Sequence, residues 1–354
     1  MLNRNKNVDF DKSKYYDILC SEYPIFLDKY LCLPLMSRLK GIGLLCGTDW
    51  TPLYKNRFYY SRFDHSVAVA LITWNFTKDK KQTLSALFHD VSTPVFSHVS
   101  DFRKGDALTQ TTTEEKTSQI LNSDDLLKSL LKEDNLCVKD IEDYHKYPIA
   151  DNEIPCLSAD RLEYMFPSGA SLDASWSMKQ IKKCYNDITV LKNENGIEEL
   201  GFMHKNIALL YCRHFCLIGH ILQLNENKLA LNLLGKIMNM AEERGVLCEK
   251  DCMTLSEAQV IEKLDNIKES ENLKELYALY KTFRTMKSIK HTNTPLDNHY
   301  CVSLKVKQRY INPLVRCSDG SAKRISEMSK KAKRIIDDFL CFSDTLYGCV
   351  KVED

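Results

Sequence analysis

The sequence predicts a mostly α-helical protein with one small β-hairpin and a late strand-helix elaboration near its C-terminus. Three observations lead there. Glycine and proline number only 12 and 9 in 354 residues, too few for a turn-rich sandwich or barrel. Apolar residues recur at helical spacing, or in runs long enough for buried helices, through most of the chain. One turn cluster, Asn193-Glu194-Asn195-Gly196, separates two short apolar runs at 187–192 and 197–203, the pattern of a hairpin.

The elements follow in order. Residues 66–76 are continuously apolar and read as a buried helix, and 82–90 follow with Leu84, Leu87 and Phe88 on one stripe. Thr111 and Glu114 have capping-box spacing before a helix near 114–122, and another helix covers 124–133. Pro155 suits the first turn of a helix running to about Met165, with Pro167 stopping it. Beyond the hairpin come helices near 204–224 and 226–243. Thr254 and Glu257 again have capping-box spacing. Residues 301–311 alternate like a strand, and 322–342 read as a basic amphipathic helix. The division this suggests is an N-terminal extension at 1–29, a core at 30–185 and a helical region at 186–354, the last either separate from the core or continuous with it.

Composition narrows the function. The formal net charge is +1, so no global attraction draws the chain to nucleic acid or membrane. The first residues are polar, without an apolar signal core. The longest apolar stretch, 207–222, is interrupted by Arg213, His214 and His220 and is too polar to span a bilayer. Fourteen cysteines at irregular spacing read as reduced thiols in a cytoplasmic protein. Cys212, Cys216 and His220 share one face of an apolar helix and read as core rather than a zinc stripe. No Walker A or GxGxxG pattern appears. Charge is nevertheless uneven. Residues 106–153 hold twelve acids against five bases, and 301–334 hold ten bases against Asp319 and Glu327. The basic block is either a solvated face or a surface for polyphosphate or nucleic acid.

Four segments stand out together: RLKGIG at 38–43, SRFDHS at 61–66, FHDVSTPVFSH at 88–98 and SADRLEYMF at 158–166. His89 and Asp90 are adjacent, and neighbours on a regular helix diverge by about 100°. They serve one ligand only if the helix ends there, and Ser92-Thr93-Pro94 supply that end. His65, His89, Asp90 and Asp160 would give two imidazoles and two carboxylates, a borderline-to-hard donor set for Mn, Fe, Ni, Zn or Mg.

The order His, His-Asp, Asp with these flanks resembles the HD-domain superfamily of metal-dependent phosphohydrolases, and within it the branch of deoxynucleoside triphosphate triphosphohydrolases. Arg62-Phe63-Asp64-His65-Ser66 matches that branch's Arg-Phe-x-His-Ser segment. His89-Asp90 with Phe96-Ser97-His98, and Ala159-Asp160-Arg161-Leu162-Glu163-Tyr164, match at the same offsets. Arg38-Leu39 resembles the pair that often precedes the first histidine. The likeness covers roughly residues 30–170, and the stretch Arg309 to Val315 is more weakly similar to the tail of some bacterial members. The resemblance implies an all-α bundle around one divalent metal held by His65, His89, Asp90 and Asp160. Arg62 would serve phosphate or help set the site, and His98 would either support the ligands from behind or be an acid–base group facing the leaving group. The implied substrate is a nucleotide or other phosphate ester, and a homo-oligomer is compatible with it. The runner-up activities are nucleotidase or phosphodiesterase; a reading of another class is an HD protein that binds nucleotide or nucleic acid without turnover. The chain departs from the branch at Ser92-Thr93-Pro94 and at Thr113-Glu114, where family histidines have no counterpart. His145 is the one nearby imidazole that could approach from a loop.

Overall fold

The computed structural model describes residues 10–108, 116–173, 175–268 and 270–353. Among them are seventeen α-helices and seven short strands in two sheets, so the chain is mostly α with small β elements. Thr111, Thr113 and Glu114 lie outside the described residues; the helix expected after them runs Thr117–Ser123.

The helix Arg62–Thr77 is the axis of the larger core. Ser61 and Asp64 form a capping box at its start, which satisfies amide donors that a helix N-terminus leaves open. Val67 through Ile72 are all buried, as suits a helix covered on every side. Lys80–Phe88 packs against it, with Asp79 as N-cap. Tyr15, Leu19 and Leu27, from the segment read as an extension, are fully buried in the same core. A second apolar cluster gathers around Asn225–Glu243, with Glu257–Asp265 and Lys274–Thr285 against it. No single helix among the described residues is long and apolar enough to cross a membrane. Only the pair Lys205–Gln223 and Asn225–Glu243 passes such a test together, bent by 50°.

Several boundaries differ from the sequence reading. The helix expected from Pro155 begins instead at Ala159, because Ser158 is its N-cap and accepts from the Arg161 amide. Pro167 lies inside this helix, which runs to Leu172. Proline there forfeits one bond, to the Glu163 carbonyl, and the buried flanks carry the helix past it. The capping box expected at Thr254 and Glu257 is formed by Ser256 and Gln259. Cys212 and Cys216 are buried, and His220 packs its ring on Phe339 and Phe342, as core residues do.

The hairpin is present as β1 (Ile188–Lys192) and β2 (Glu198–Phe202). It is extended by β5 (Leu314–Arg316), parallel to β2, and β6 (Ala322–Arg324). The second sheet joins β3 (Lys290–Thr292), β7 (Tyr347–Lys351) and β4 (His299–Val302). The strand expected over 301–311 therefore ends at Val302. The chain from 303 to 313 is outside both sheets. Cys301 and Cys349 face each other across β4 and β7 and are joined as a disulfide, while the other twelve cysteines are free. This corrects the expectation of reduced thiols throughout: register brings together two residues separated by 48 positions.

The basic helix expected over 322–342 is broken into β6, a short turn at Ile325–Met328 and the helix Lys330–Leu340. The cause is Arg324. Its guanidinium grips Glu199 of β2 at 2.7 and 3.0 Å, with both side chains buried. Removing one partner of a buried ion pair strands the other charge, at a cost of about 3–5 kcal/mol. Arg324→Ala is therefore expected to lower unfolding stability by about that amount in urea titration. A midpoint equal to wild type would show that Glu199 finds other compensation.

Candidate metal centre

Three helix ends converge. His65 sits in the first turn of Arg62–Thr77, Asp160 in the first turn of Ala159–Leu172, and His89 immediately after Lys80–Phe88. The Lys80–Phe88 helix stops two residues before the end read from the sequence, and Arg38 fixes the loop beyond by donating to the carbonyls of Val91 and Thr93 at 3.0 and 2.6 Å. The start of Arg62–Thr77 is set by a backbone bridge between Gly43 and Ser61, with the Arg62 amide bonded to Ile42.

Nε2 of His65 lies 3.2 Å from Nε2 of His89 and 3.0 Å from Oδ1 of Asp160; His89 Nε2 to the same oxygen is 3.9 Å. These three residues form a compact group that could hold a metal ion. Ligand atoms bound to one ion at about 2.0–2.2 Å stand roughly 3 Å apart, so the spacing fits. The remaining nitrogens agree. His89 Nδ1 donates to the Ala86 carbonyl at 2.7 Å, and His65 Nδ1 meets Glu163 Oε2 at 2.5 Å. Each contact places the ring proton on Nδ1 and turns the Nε2 lone pair toward the shared point, the usual arrangement of metal-binding histidines. Burial opposes a charge on His65, yet the Glu163 and Asp160 carboxylates outweigh it and lift its pKa to about 10. The carboxylates that favour a proton on His65 Nε2 favour a metal ion in its place, and a metal would bind there by displacing that proton.

Asp90 stands beside this group rather than within it. Its Oδ2 is 3.5 Å from His89 Nε2 and 3.8 Å from His65 Nε2. Arg62 holds the same oxygen at 2.9 Å, and Thr93 donates to the other at 2.8 Å. Burial disfavours the Asp90 charge, but Arg62 and the two histidines overcome it and keep the carboxyl well below the usual range. Arg62 also reaches Ser97 Oγ at 3.1 Å. Ser97 and the preceding Phe96 both have left-handed backbones, φ 52° and 60°, a strained turn for non-glycine residues. That turn delivers His98, whose Nδ1 lies 2.9 Å from the buried Asp101. Burial, helped by the charges of Arg309 and Arg62, holds His98 below its ordinary 6.5 against the pull of Asp101. His145 Nδ1 is 2.8 Å from Asp151, and its side chain is half-exposed.

Two cavities meet at the centre. One is largely apolar, framed by Leu44, Tyr54, Phe102 and Leu231; the other is polar, with Tyr144, His145, Asp151 and Arg161. Arg62, His98, Asp160, Tyr164, Lys307 and Arg309 line both.

Two positioning residues escape the motif reading of ligands. Glu163 has no exposed surface and receives Tyr15 and Tyr60 hydroxyls at 3.1 and 2.7 Å besides His65. Its signal was its place three residues after Asp160, one helical turn on. Glu257, 214 residues from Gly43, accepts that residue's amide at 2.9 Å and the Trp50 indole at 2.8 Å; burial raises its pKa to about 7. The sequence marks it only by capping-box spacing from Thr254, not as a residue of the centre. A second cluster, Glu226, His291 and Asp344, also has metal-compatible spacing. There His291 meets carboxylates with both ring nitrogens, at 3.0 and 3.1 Å, as His65 does, but the group has one imidazole rather than two and is more exposed.

No family model and no curated protein matches the chain. Solved structures do. A hypothetical protein from Aquifex aeolicus shares 16% identity at a TM-score of 0.60, covering 93% of this chain and 92% of its own. A phosphohydrolase from Bacteroides thetaiotaomicron shares 14% identity at a TM-score of 0.61, covering 99% and 97%. At such identities the likeness is one of fold.

Glu163→Gln keeps the shape and removes the carboxylate that aligns His65. Loss of such an outer partner costs about 10–100-fold in metal affinity. Calorimetric titration with Mn²⁺ is expected to show that loss with the far-ultraviolet circular dichroism unchanged; wild-type affinity would remove Glu163 from the centre.

Proposed function

We propose that the protein is a metal-dependent phosphohydrolase of the HD superfamily that hydrolyses a nucleotide or related phosphate ester. The observation that carries this is the convergence of His65, His89 and Asp160, each at a helix end, with both histidines turned Nε2-inward. The phosphohydrolase among proteins of similar fold supports it. In this reading Asp90 is the fourth ligand and one divalent ion, Mn, Fe, Ni, Zn or Mg, is held. Such an ion supplies Lewis acidity, acidifying water and neutralising phosphoryl charge.

The chain's own groups supply the rest. Arg62 holds Asp90 against the two histidines. His98 donates a hydrogen bond from Nδ1 to Asp101, which leaves Nε2 to accept a proton from the attacking water. Asp160 lies at the junction of the two cavities, so the phosphate lies in the polar one and the organic group enters the apolar one.

Within the superfamily the dNTP triphosphohydrolase activity comes first on motif likeness. A nucleotidase or phosphodiesterase is favoured by one specific feature. Where the triphosphohydrolases carry a histidine after His-Asp, this chain has hydroxyls already committed, Thr93 to Asp90 at 2.8 Å and Ser92 to Thr117 at 2.7 Å. The products discriminate: tripolyphosphate, inorganic phosphate or a monophosphate.

The test is metal-supplemented hydrolysis of a broad phosphate panel by wild type, Asp90→Ala and Asp160→Asn. We expect turnover by wild type only, with bound metal reduced in both variants. Asp160 is the more exposed of the two carboxylates, so its variant keeps the fold should Asp90→Ala lose it. Turnover and metal retained in Asp160→Asn would overturn the assignment. A pH series adds a second check. A base with a pKa held below 6.5 predicts an acidic limb of kcat/KM below pH 6.5, where protonation of His98 abolishes its function, and loss of that limb in His98→Asn. A limb unchanged in the variant would assign the proton transfer elsewhere.

A further inference from the structure

The polar cavity is lined by three guanidinium groups, and two of them are committed to the protein. Arg62 is bound to Asp90 and Ser97. Arg161 donates to the carbonyls of Cys156 and Asn152 and pairs with Asp151. Arg309 makes no hydrogen bond or ion pair among the described residues, yet it lines both cavities with Arg62, His98 and Asp160. Its charge is near enough to His98, Cys46 and Tyr164 to act on all three.

The backbone explains how a residue 149 positions beyond Asp160 arrives there. The unpaired segment 303–313 crosses the cavity mouth as a strap, and it is tied at several points. The Lys307 amide donates to the Ala107 carbonyl at 3.1 Å, and the Lys307 carbonyl accepts from Gln223 at 3.0 Å. The Asn312 amide donates to the Pro155 carbonyl at 2.8 Å, and the Asn312 side chain is bonded to Ser326. Arg309 lies between these ties. A half-buried guanidinium, held in place and left without an acceptor, is a donor fork awaiting one. Planar forks of this kind match the oxygens of a phosphate group bidentately.

We propose that Arg309 is the phosphate-binding cation of this site, delivered by the 303–313 strap, and that the ligand it takes is the phosphoryl or polyphosphate group of the substrate. The proposal rests on the phosphohydrolase reading for the identity of the neighbouring centre, and it assigns part of the C-terminal basic block to the active cavity. Lys307 lines the same cavity and adds positive charge. Arg324 of the same block is spent inside the fold, while Lys333 and Arg334 pair with Asp337 and Asp338 one helical turn on.

The probe is inorganic phosphate, titrated calorimetrically into the full chain with and without Mn²⁺, for wild type, Arg309→Ala and Arg309→Lys. Charged hydrogen bonds of this kind are worth about a ten- to hundred-fold change in affinity. We expect Arg309→Ala to lose that much phosphate affinity while keeping wild-type Mn²⁺ content and thermal midpoint, and Arg309→Lys to recover part of it. Phosphate bound by Arg309→Ala as tightly as by wild type, or not bound by wild type in either condition, would overturn the proposal. Should the chain hold no Mn²⁺, phosphate binding that still depends on Arg309 would sustain this subsite while the hydrolase reading failed. Should Mn²⁺ bind and Arg309 prove irrelevant to phosphate, the reverse would hold.

Discussion

The contact between Glu163 and His65 is the constraint on which the rest of the site depends. A fully buried carboxylate is costly unless every oxygen finds a donor. Glu163 finds three: the imidazole of His65 and the hydroxyls of Tyr15 and Tyr60. Those donors come from the N-terminal helix, from the turn before Arg62–Thr77 and from that helix itself. Satisfying one buried group thus locks three parts of the chain against Ala159–Leu172. The same lock sets which nitrogen of His65 faces Asp160. Packing and ligand geometry are in this sense one problem, solved by one side chain.

Around that lock the centre is built from helix ends, and this has a physical reason. Adjacent residues on a continuous helix diverge, so His89 reaches the shared point with Asp90 beside it only because Lys80–Phe88 has just stopped. First-turn positions give His65 and Asp160 the same freedom. The cations around the centre then divide the work. Arg62 balances Asp90, Arg161 tethers the loop before its own helix, and the strap brings Arg309 and Lys307 to the cavity.

Much of this was legible in the sequence, and unevenly. Long helices such as Arg62–Thr77 and Lys205–Gln223 declare themselves by continuous or periodic apolar character, and the hairpin by its Asn-Glu-Asn-Gly turn. His65, His89 and Asp160 were marked by their flanks, and they do come together. Strands β5 and β6 have three residues each, too few for any period to show, and they exist because β5 pairs with β2 and β6 with β5. The β2–β5 pairing and the Arg324–Glu199 contact join residues over a hundred positions apart. Glu257 and Gly43 are 214 positions apart, and Cys301 and Cys349 are 48 apart. Alternation over 301–311 gave a strand signal, but only its first residues, within β4, pair in a sheet. Pro155 and Pro167 misled because local preference was overridden by Ser158 at one end and by a buried helix at the other.

The most direct test of the account is anomalous diffraction at the manganese edge from crystals of the full chain grown with Mn²⁺. The account predicts a peak bonded to Nε2 of His65, Nε2 of His89 and a carboxylate oxygen of Asp160. No peak at that locus, or density only between Glu226, His291 and Asp344, would contradict it.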